Sequence, residues 1–303
     1  MTRRTALVAV IASAACFATL GILTKWAFAN GAEPISLLAV RFGTASVVMA
    51  AAQAVRDPAG LKVSRGDILR FLGLSLTGYG AASLCYGFAV KQIGPSVTTV
   101  LLYTYPALVS IIGWLFLKER FPPRRVAAVA LTFVGCALVA DVFTRGSNVT
   151  LSGVALGLGA ALGYAVFNVL SYRTLGRTPR LTLMAYTFAF SAVAMTVVAA
   201  ASGTLGGVAR WSPTMWGILA LIVAIPTFAA LTLYLGGIRR MGAAQAAVVS
   251  TLELPFTVAF AAAAFPLERL SLVQLLGAAV VLGGVVLAEW GSPAGEVEGI
   301  AAV

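Results

Sequence analysis

The sequence contains no histidine, three cysteines, and charged side chains at only 10% of its 303 positions. The absence of histidine excludes a histidine proton relay, a histidine metal ligand and a serine–histidine nucleophile pair. Cys16, Cys85 and Cys136 each lie inside an apolar run and none belongs to a CxxC pair. That argues against a disulfide framework or zinc site and for small, buried packing residues. No metal or other cofactor is implied. The scarcity of charge is the larger exclusion, because a soluble domain carries roughly 25% charged residues. Here 60% of residues are hydrophobic and the mean hydropathy is +0.97. A soluble enzyme, a nucleic-acid-binding module and a disordered chain are all excluded, and the apolar surface must face lipid.

A hydrocarbon core about 30 Å thick needs roughly 20 apolar helical residues to cross it. Ten such runs are present, at about 6–28, 35–55, 68–90, 96–117, 124–142, 152–174, 182–202, 213–236, 243–265 and 270–290. They are continuous and rich in Ala, Leu and Val, which does not match the alternation of β-barrel strands. The first run begins behind Arg3 and Arg4. It is long for the apolar region of a signal peptide and is read as a true span. The expected fold class is therefore an all-α integral membrane protein with ten transmembrane helices.

Acidic residues number 10 against 21 Lys and Arg, a formal charge of +11. With the N-terminus inside, the cytoplasmic side carries Arg3, Arg4, Arg56, Lys62, Arg65, Arg70, Lys118, Arg120, Arg124, Arg125, Arg173, Arg177, Arg180, Arg239 and Arg240. The opposite side carries Lys91, Arg145, Arg210 and Arg269. This asymmetry predicts cytoplasmic N- and C-termini and an even number of spans. The high charge thus describes orientation and gives no reason to expect nucleic acid.

The chain repeats itself at an offset near 148. Gly94-Pro-Ser-Val-Thr-Thr-Val100, Pro106 and Lys118-Glu119-Arg120 match Gly242-Ala-Ala-Gln-Ala-Ala-Val248, Pro255 and Leu267-Glu268-Arg269; Tyr86 matches Tyr234. Five spans per half is an odd number, so the second half enters the membrane from the opposite side. Residues 1–145 and 146–290 are then two inverted five-helix repeats, followed by a short acidic tail at 291–303. Inverted repeats are a frequent build for secondary transporters with a site at the repeat interface.

On the ten spans, the five-plus-five repeat and the endings Tyr105-Pro106 to Lys118-Glu119-Arg120 and Leu252-Glu253-Leu254-Pro255 to Leu267-Glu268-Arg269, the chain resembles an EamA-type member of the drug/metabolite transporter superfamily. Leu254 departs from the Glu-Pro more usual there. The resemblance implies export of small metabolites such as amino acids by alternating access, with span 1 lining the cavity. Its length and tyrosines are similar to those of the aromatic-amino-acid exporters. The implied setting is a bacterial-type inner (plasma) membrane, with lipid and a small-molecule substrate as partners, protons as candidate coupling ion, and a monomer or weak homodimer.

Glu253 lies about eleven residues into span 9, where a charge is costly and intramembrane carboxylates are functional candidates. Three roles are open to it: binding a substrate ammonium, carrying a coupling proton, or locking helices together. Lys25 and Arg41 could attract a carboxylate or extend to the outer interface along apolar stems. Tyr79, Ser83 and Tyr86 share a face of span 3, and Tyr164, Asn168 and Tyr172 share a face of span 6. With Tyr103 and Tyr234 they outline an aromatic, moderately polar cavity or, as the simpler alternative, a dry aromatic core. Tyr172 is read as interfacial. Pro106, Pro226 and Pro255 fall inside spans and should free the carbonyls of Leu102, Ile222 and Thr251. Pro106 and Pro255, as repeat partners, are candidate hinges. Gly153, Gly157, Gly159 and Gly163 in span 6, and Gly135 with Gly277, Gly283 and Gly284 in spans 5 and 10, should allow close helix approach.

Transport of other solutes, such as nucleotide sugars, organic cations or drugs, is an alternative. An integral membrane lipid-modifying enzyme is a distant one. The interfacial acids Asp57, Asp67, Glu119, Asp141 and Glu289 are scattered, and no catalytic constellation is visible. There is also no nucleotide-binding P-loop.

Overall fold

The structure is a computed structural model and describes residues 2–117, 122–139, 150–264 and 271–289. The Lys118-Glu119-Arg120 and Leu267-Glu268-Arg269 motifs, Asp141, Arg145 and the 291–303 tail lie outside the described residues.

Continuous apolar sequence without strand-forming alternation gives helix throughout, and no strand occurs among the described residues. The first half comprises α1 (Arg3–Ala29), α2 (Pro34–Arg56), α3 (Arg65–Gly73), α4 (Gly80–Leu102), α5 (Tyr105–Leu117) and α6 (Pro123–Val139). The second comprises α7 (Leu151–Thr174), α8 (Arg180–Ala201), α9 (Pro213–Ile222), α10 (Ala230–Met241), α11 (Ala243–Ser250), α12 (Glu253–Ala264) and α13 (Leu272–Glu289). Local capping sets several starts. Ser64 and Asp67 form a reciprocal capping box at α3, while Thr150 and Ser212 hydroxyls accept from Gly153 and Met215 amides at α7 and α9. Each satisfies amide groups that a helix start leaves unpaired.

Seven stretches are long and apolar enough to cross a membrane by length and composition: Arg3–Ala29, Pro34–Arg56, Arg65–Val90, Val97–Phe116, Leu151–Thr174, Arg180–Ala201 and Pro213–Met241. The other three expected spans differ for local reasons. The ninth is broken between α11 and α12, and the described parts of the fifth and tenth are α6 and α13. Outward-facing positions stay apolar, as at Val47, Leu69, Val193 and Leu272. In water such a surface would be a liability; against lipid it is the expected exterior.

The most extensive packing joins α2 to α8, α6 to α13, α4 to α7, and α1 to α10. Exchanging the two halves leaves this scheme unchanged. The second spans pair with each other, the fifth spans pair with each other, and third-with-sixth swaps with eighth-with-first. Each half also carries one π-helical turn, Leu74–Tyr79 after α3 and Val223–Ala229 after α9. Their starts are 149 residues apart, the same offset as the prolines.

Glycine sets the closest approaches, as expected. A Cβ on Gly135 would meet the Val281 amide nitrogen at 2.7 Å and the Gly277 carbonyl at 2.9 Å. One on Gly163 would meet the Gly78 carbonyl at 3.1 Å. The α6–α13 and α7–π-turn contacts are therefore backbone on backbone. Gly283 takes no part at that range, with only a Leu131 methyl at 3.6 Å.

Candidate functional site

The two breaks in the fourth and ninth spans organise the centre of the bundle. Proline cannot donate in a ladder and is tolerated in the first turn of a helix. Pro106 is the second residue of α5 and Pro255 the third of α12, so each span stops and restarts just before its proline. The restart places Tyr105 and Glu253 in the first turns of their half-helices. A carboxylate there faces the positive end of the helix dipole. The Thr251 carbonyl, expected to be free, accepts the Leu254 amide at 3.1 Å, because the chain tightens into a shorter turn.

Glu253 is half-buried. Tyr103 is its nearest polar neighbour in the electrostatics, and no ion pair among the described residues involves it. Around it, within electrostatic reach, stand Tyr86, Tyr105, Tyr164, Tyr234 and Cys136. With Tyr103, these tyrosines come from four different spans, and the fold brings them within reach of one carboxyl group.

A polar chain crosses the bundle beside Glu253. The Tyr234 hydroxyl donates to Asn168 Oδ1, and Asn168 Nδ2 donates to the Tyr164 carbonyl at 2.7 Å. Ser250 and Tyr105 stand within electrostatic reach of Tyr234. Tyr105 in turn bonds Ser250 Oγ and donates to the Ala247 carbonyl at 3.0 Å. Asn168 and Tyr234 have no exposed surface. Buried polar groups cost little only when partnered, so these bonds fix α7 against α10 and α5 against α11.

The aromatic rings continue the lining. Tyr105 and Tyr164 meet edge to face at 4.8 Å. Tyr164 stacks on Phe167 at 5.9 Å, and Tyr79 packs against Phe167, Phe188 and Phe42 between 5.2 and 5.7 Å. Tyr164 and Tyr86 are half-buried, while Tyr79 belongs to the packed core. Tyr86 bonds Thr99 Oγ1 at 3.2 Å. Ser83 turns back onto the Tyr79 carbonyl at 2.8 Å, so its hydroxyl serves its own helix. Lys25 stands exposed near the end of α1.

Arg41 does not extend outward. It is buried, and its Nε donates to Thr227 Oγ1 at 2.9 Å. Thr227 donates to the Ile222 carbonyl at 2.8 Å, the group that Pro226 leaves without its helical partner. A threonine hydroxyl thereby repairs the proline break, and the arginine holds that threonine. Ser250 and Thr227 complete the site without having been singled out by sequence, together with Tyr105, noted there only for its place beside Pro106. The only available signal was their position: Tyr105 and Ser250 flank the two breaks, and Thr227 follows Pro226.

The EamA-like transporter family matches residues 4–140 and again residues 151–290. An uncharacterized transporter of Bacillus subtilis, YcbK, is 28% identical over 273 residues, covering 86% of this chain and 85% of that protein. An uncharacterized transporter of Archaeoglobus fulgidus is 27% identical, covering 84% and 87%. A solved crystal structure superposes with a TM-score of 0.76 at 18% identity, covering 95% of this chain and 97% of that one, a likeness of fold. On these two family matches, which together take in almost the whole chain, the protein belongs to the EamA-like transporter family.

Proposed function

We propose that this membrane transporter exports amino acids, aromatic or other large neutral ones foremost, in exchange for protons. The two halves rock by alternating access about the site where the broken fourth and ninth spans meet. The observation that carries this reading is Glu253. It is a half-buried carboxyl at a half-helix start, with Tyr103 and further tyrosines within electrostatic reach and without an ion-pair partner among the described residues. A carboxyl so placed can take up and release a proton as the halves open to either side. The half-buried Tyr164 and Tyr86 rings supply an aromatic wall suited to a flat apolar side chain. Pro106 and Pro255 act as hinges, because each sits where its span is already interrupted. In the orientation favoured by the basic residues, both termini are cytoplasmic and the membrane is a bacterial-type inner membrane.

The test is uptake into proteoliposomes of the purified protein, with labelled aromatic and aliphatic amino acids, sugars and organic cations, under an imposed pH gradient. Saturable, gradient-driven uptake of phenylalanine, tyrosine or tryptophan is expected. Selective movement of organic cations or nucleotide sugars instead would retain the transporter and sink the amino-acid assignment.

A further inference from the structure

A second cavity, of about 540 Å³, lies away from Glu253 at the arginine-rich end of the bundle. It is enclosed by the C-terminal end of α2, the α7–α8 connection and the C-terminal end of α10. Four arginines line it, Arg56, Arg180, Arg239 and Arg240, with Asp57 as the one acidic residue of the lining. Asp57 is engaged elsewhere, accepting the Ala59 amide at 3.1 Å. No ion pair among the described residues joins it to any of the four arginines.

Orientation signals and helix dipoles explain part of this. Arg56, Arg239 and Arg240 fall in the last turns of α2 and α10, where a cation is favoured. Arg180 is different. It opens α8, at the positive end of that helix's dipole, and feels the charge of Arg56. It is nevertheless held in place: its Nη1 donates to the Thr232 carbonyl at 3.1 Å. It lies over Gly236, where a Cβ would come within 2.7 Å of that nitrogen. A glycine seat and a backbone acceptor thus fix a guanidinium against two unfavourable fields. The turn that follows Asp57, next to the cavity, is also pinned. Thr182 and Tyr186 donate to the Gly60 and Leu61 carbonyls at 2.8 and 3.0 Å, and Gln53 donates to the Asp57 carbonyl at 3.0 Å.

We infer that this cavity binds an anionic phosphate group, either the headgroup of an acidic phospholipid or a soluble phosphate. Guanidinium groups match phosphate oxygens in pairs, and an anion bound among four arginines relieves their mutual repulsion. The site is separate from the transport site, so its occupancy is readable without any transport assay.

The full-length purified protein is examined in two ways. Native mass spectrometry measures retention of phosphatidylglycerol against phosphatidylcholine, and thermal unfolding is followed with inorganic pyrophosphate. Both are repeated for R239Q/R240Q, which alters exposed residues only, and for K62Q/R65Q, which removes the same charge outside the cavity. Binding by wild type is expected to weaken about ten- to thirty-fold in R239Q/R240Q, and to survive in K62Q/R65Q. Selective phosphatidylglycerol retention alone identifies a lipid headgroup as the ligand. Stabilisation by pyrophosphate identifies a soluble phosphate. Absence of both, or equal weakening in the two double variants, overturns the inference.

Discussion

Gly277 offers the sharpest test of how the halves are held together. Its missing Cβ would sit 2.7 Å from the Val139 amide nitrogen and 2.9 Å from the Gly135 carbonyl oxygen. Ordinary contact begins at 3.4 Å, so Gly277→Ala forces α6 and α13 apart by about 0.7 Å. Leu138 Cβ obstructs as well, at 2.8 Å, and a Cβ is as fixed as the two backbone atoms, so no side-chain rotation gives relief. Overpacking of this kind costs about 1–3 kcal/mol. The unfolding midpoint in detergent should fall by roughly 2–12 °C, at about 2–4 °C per kcal/mol. Gly21→Ala is the control, because nothing lies within 4 Å of its Cβ position. There alanine should be neutral or stabilising by up to about 1 kcal/mol, through helix propensity. Gly135→Ala addresses the same contact from the other side, its Cβ meeting the Gly277 carbonyl at 2.9 Å. Once one alanine has separated the helices the second costs less, so the double variant should be less destabilised than the sum. Equal midpoints for Gly277→Ala and Gly21→Ala would refute the backbone-contact reasoning.

Three further outcomes follow from particular contacts. Thr227→Val strips the acceptor from Arg41 Nε and the donor from the Ile222 carbonyl, both buried; it should cost about 2–4 kcal/mol in thermal unfolding, and Thr227→Ser should recover most of it. A double-mutant cycle of Tyr234→Phe and Asn168→Leu should give a coupling of about 0.6–1.7 kcal/mol, the range for hydrogen bonds between membrane helices. Zero coupling would mean that the Tyr234–Asn168 bond contributes nothing. Tyr164→Leu removes the ring that meets Tyr105 edge to face. It should raise the KM for aromatic substrates roughly three- to ten-fold with the maximal rate kept, while Tyr164→Phe keeps both.

Much of the fold is written in long-range regularities that need no structure. Apolar run length gives the spans, and the 148-residue offset gives the repeat. The family matches over 4–140 and 151–290 fall on those two halves. The helix breaks were legible at Pro106 and Pro255, because proline removes a donor wherever it sits. The first π-turn was not legible. Leu74–Tyr79 contains no proline, only Gly78 with a non-helical backbone, and its existence follows from packing against α7. The tyrosines could be placed on faces by helical spacing, yet their convergence on Glu253 needed the relative rotation of five helices. Arg41 shows the limit most clearly. Sequence allowed a side chain reaching for the interface, but the Pro226 break on a distant helix supplied a threonine acceptor inside the bundle. No local pattern reports a partner 186 residues away.

The central claim is that Glu253 carries the coupling proton at the junction of the broken spans. Glu253→Gln preserves shape and hydrogen-bonding capacity and removes titration. In proteoliposomes the account requires this variant to lose uptake driven by a pH gradient while still exchanging labelled for unlabelled substrate at equal pH on both sides. Gradient-driven uptake at the wild-type rate, or equal loss of both activities in correctly folded protein, would contradict it.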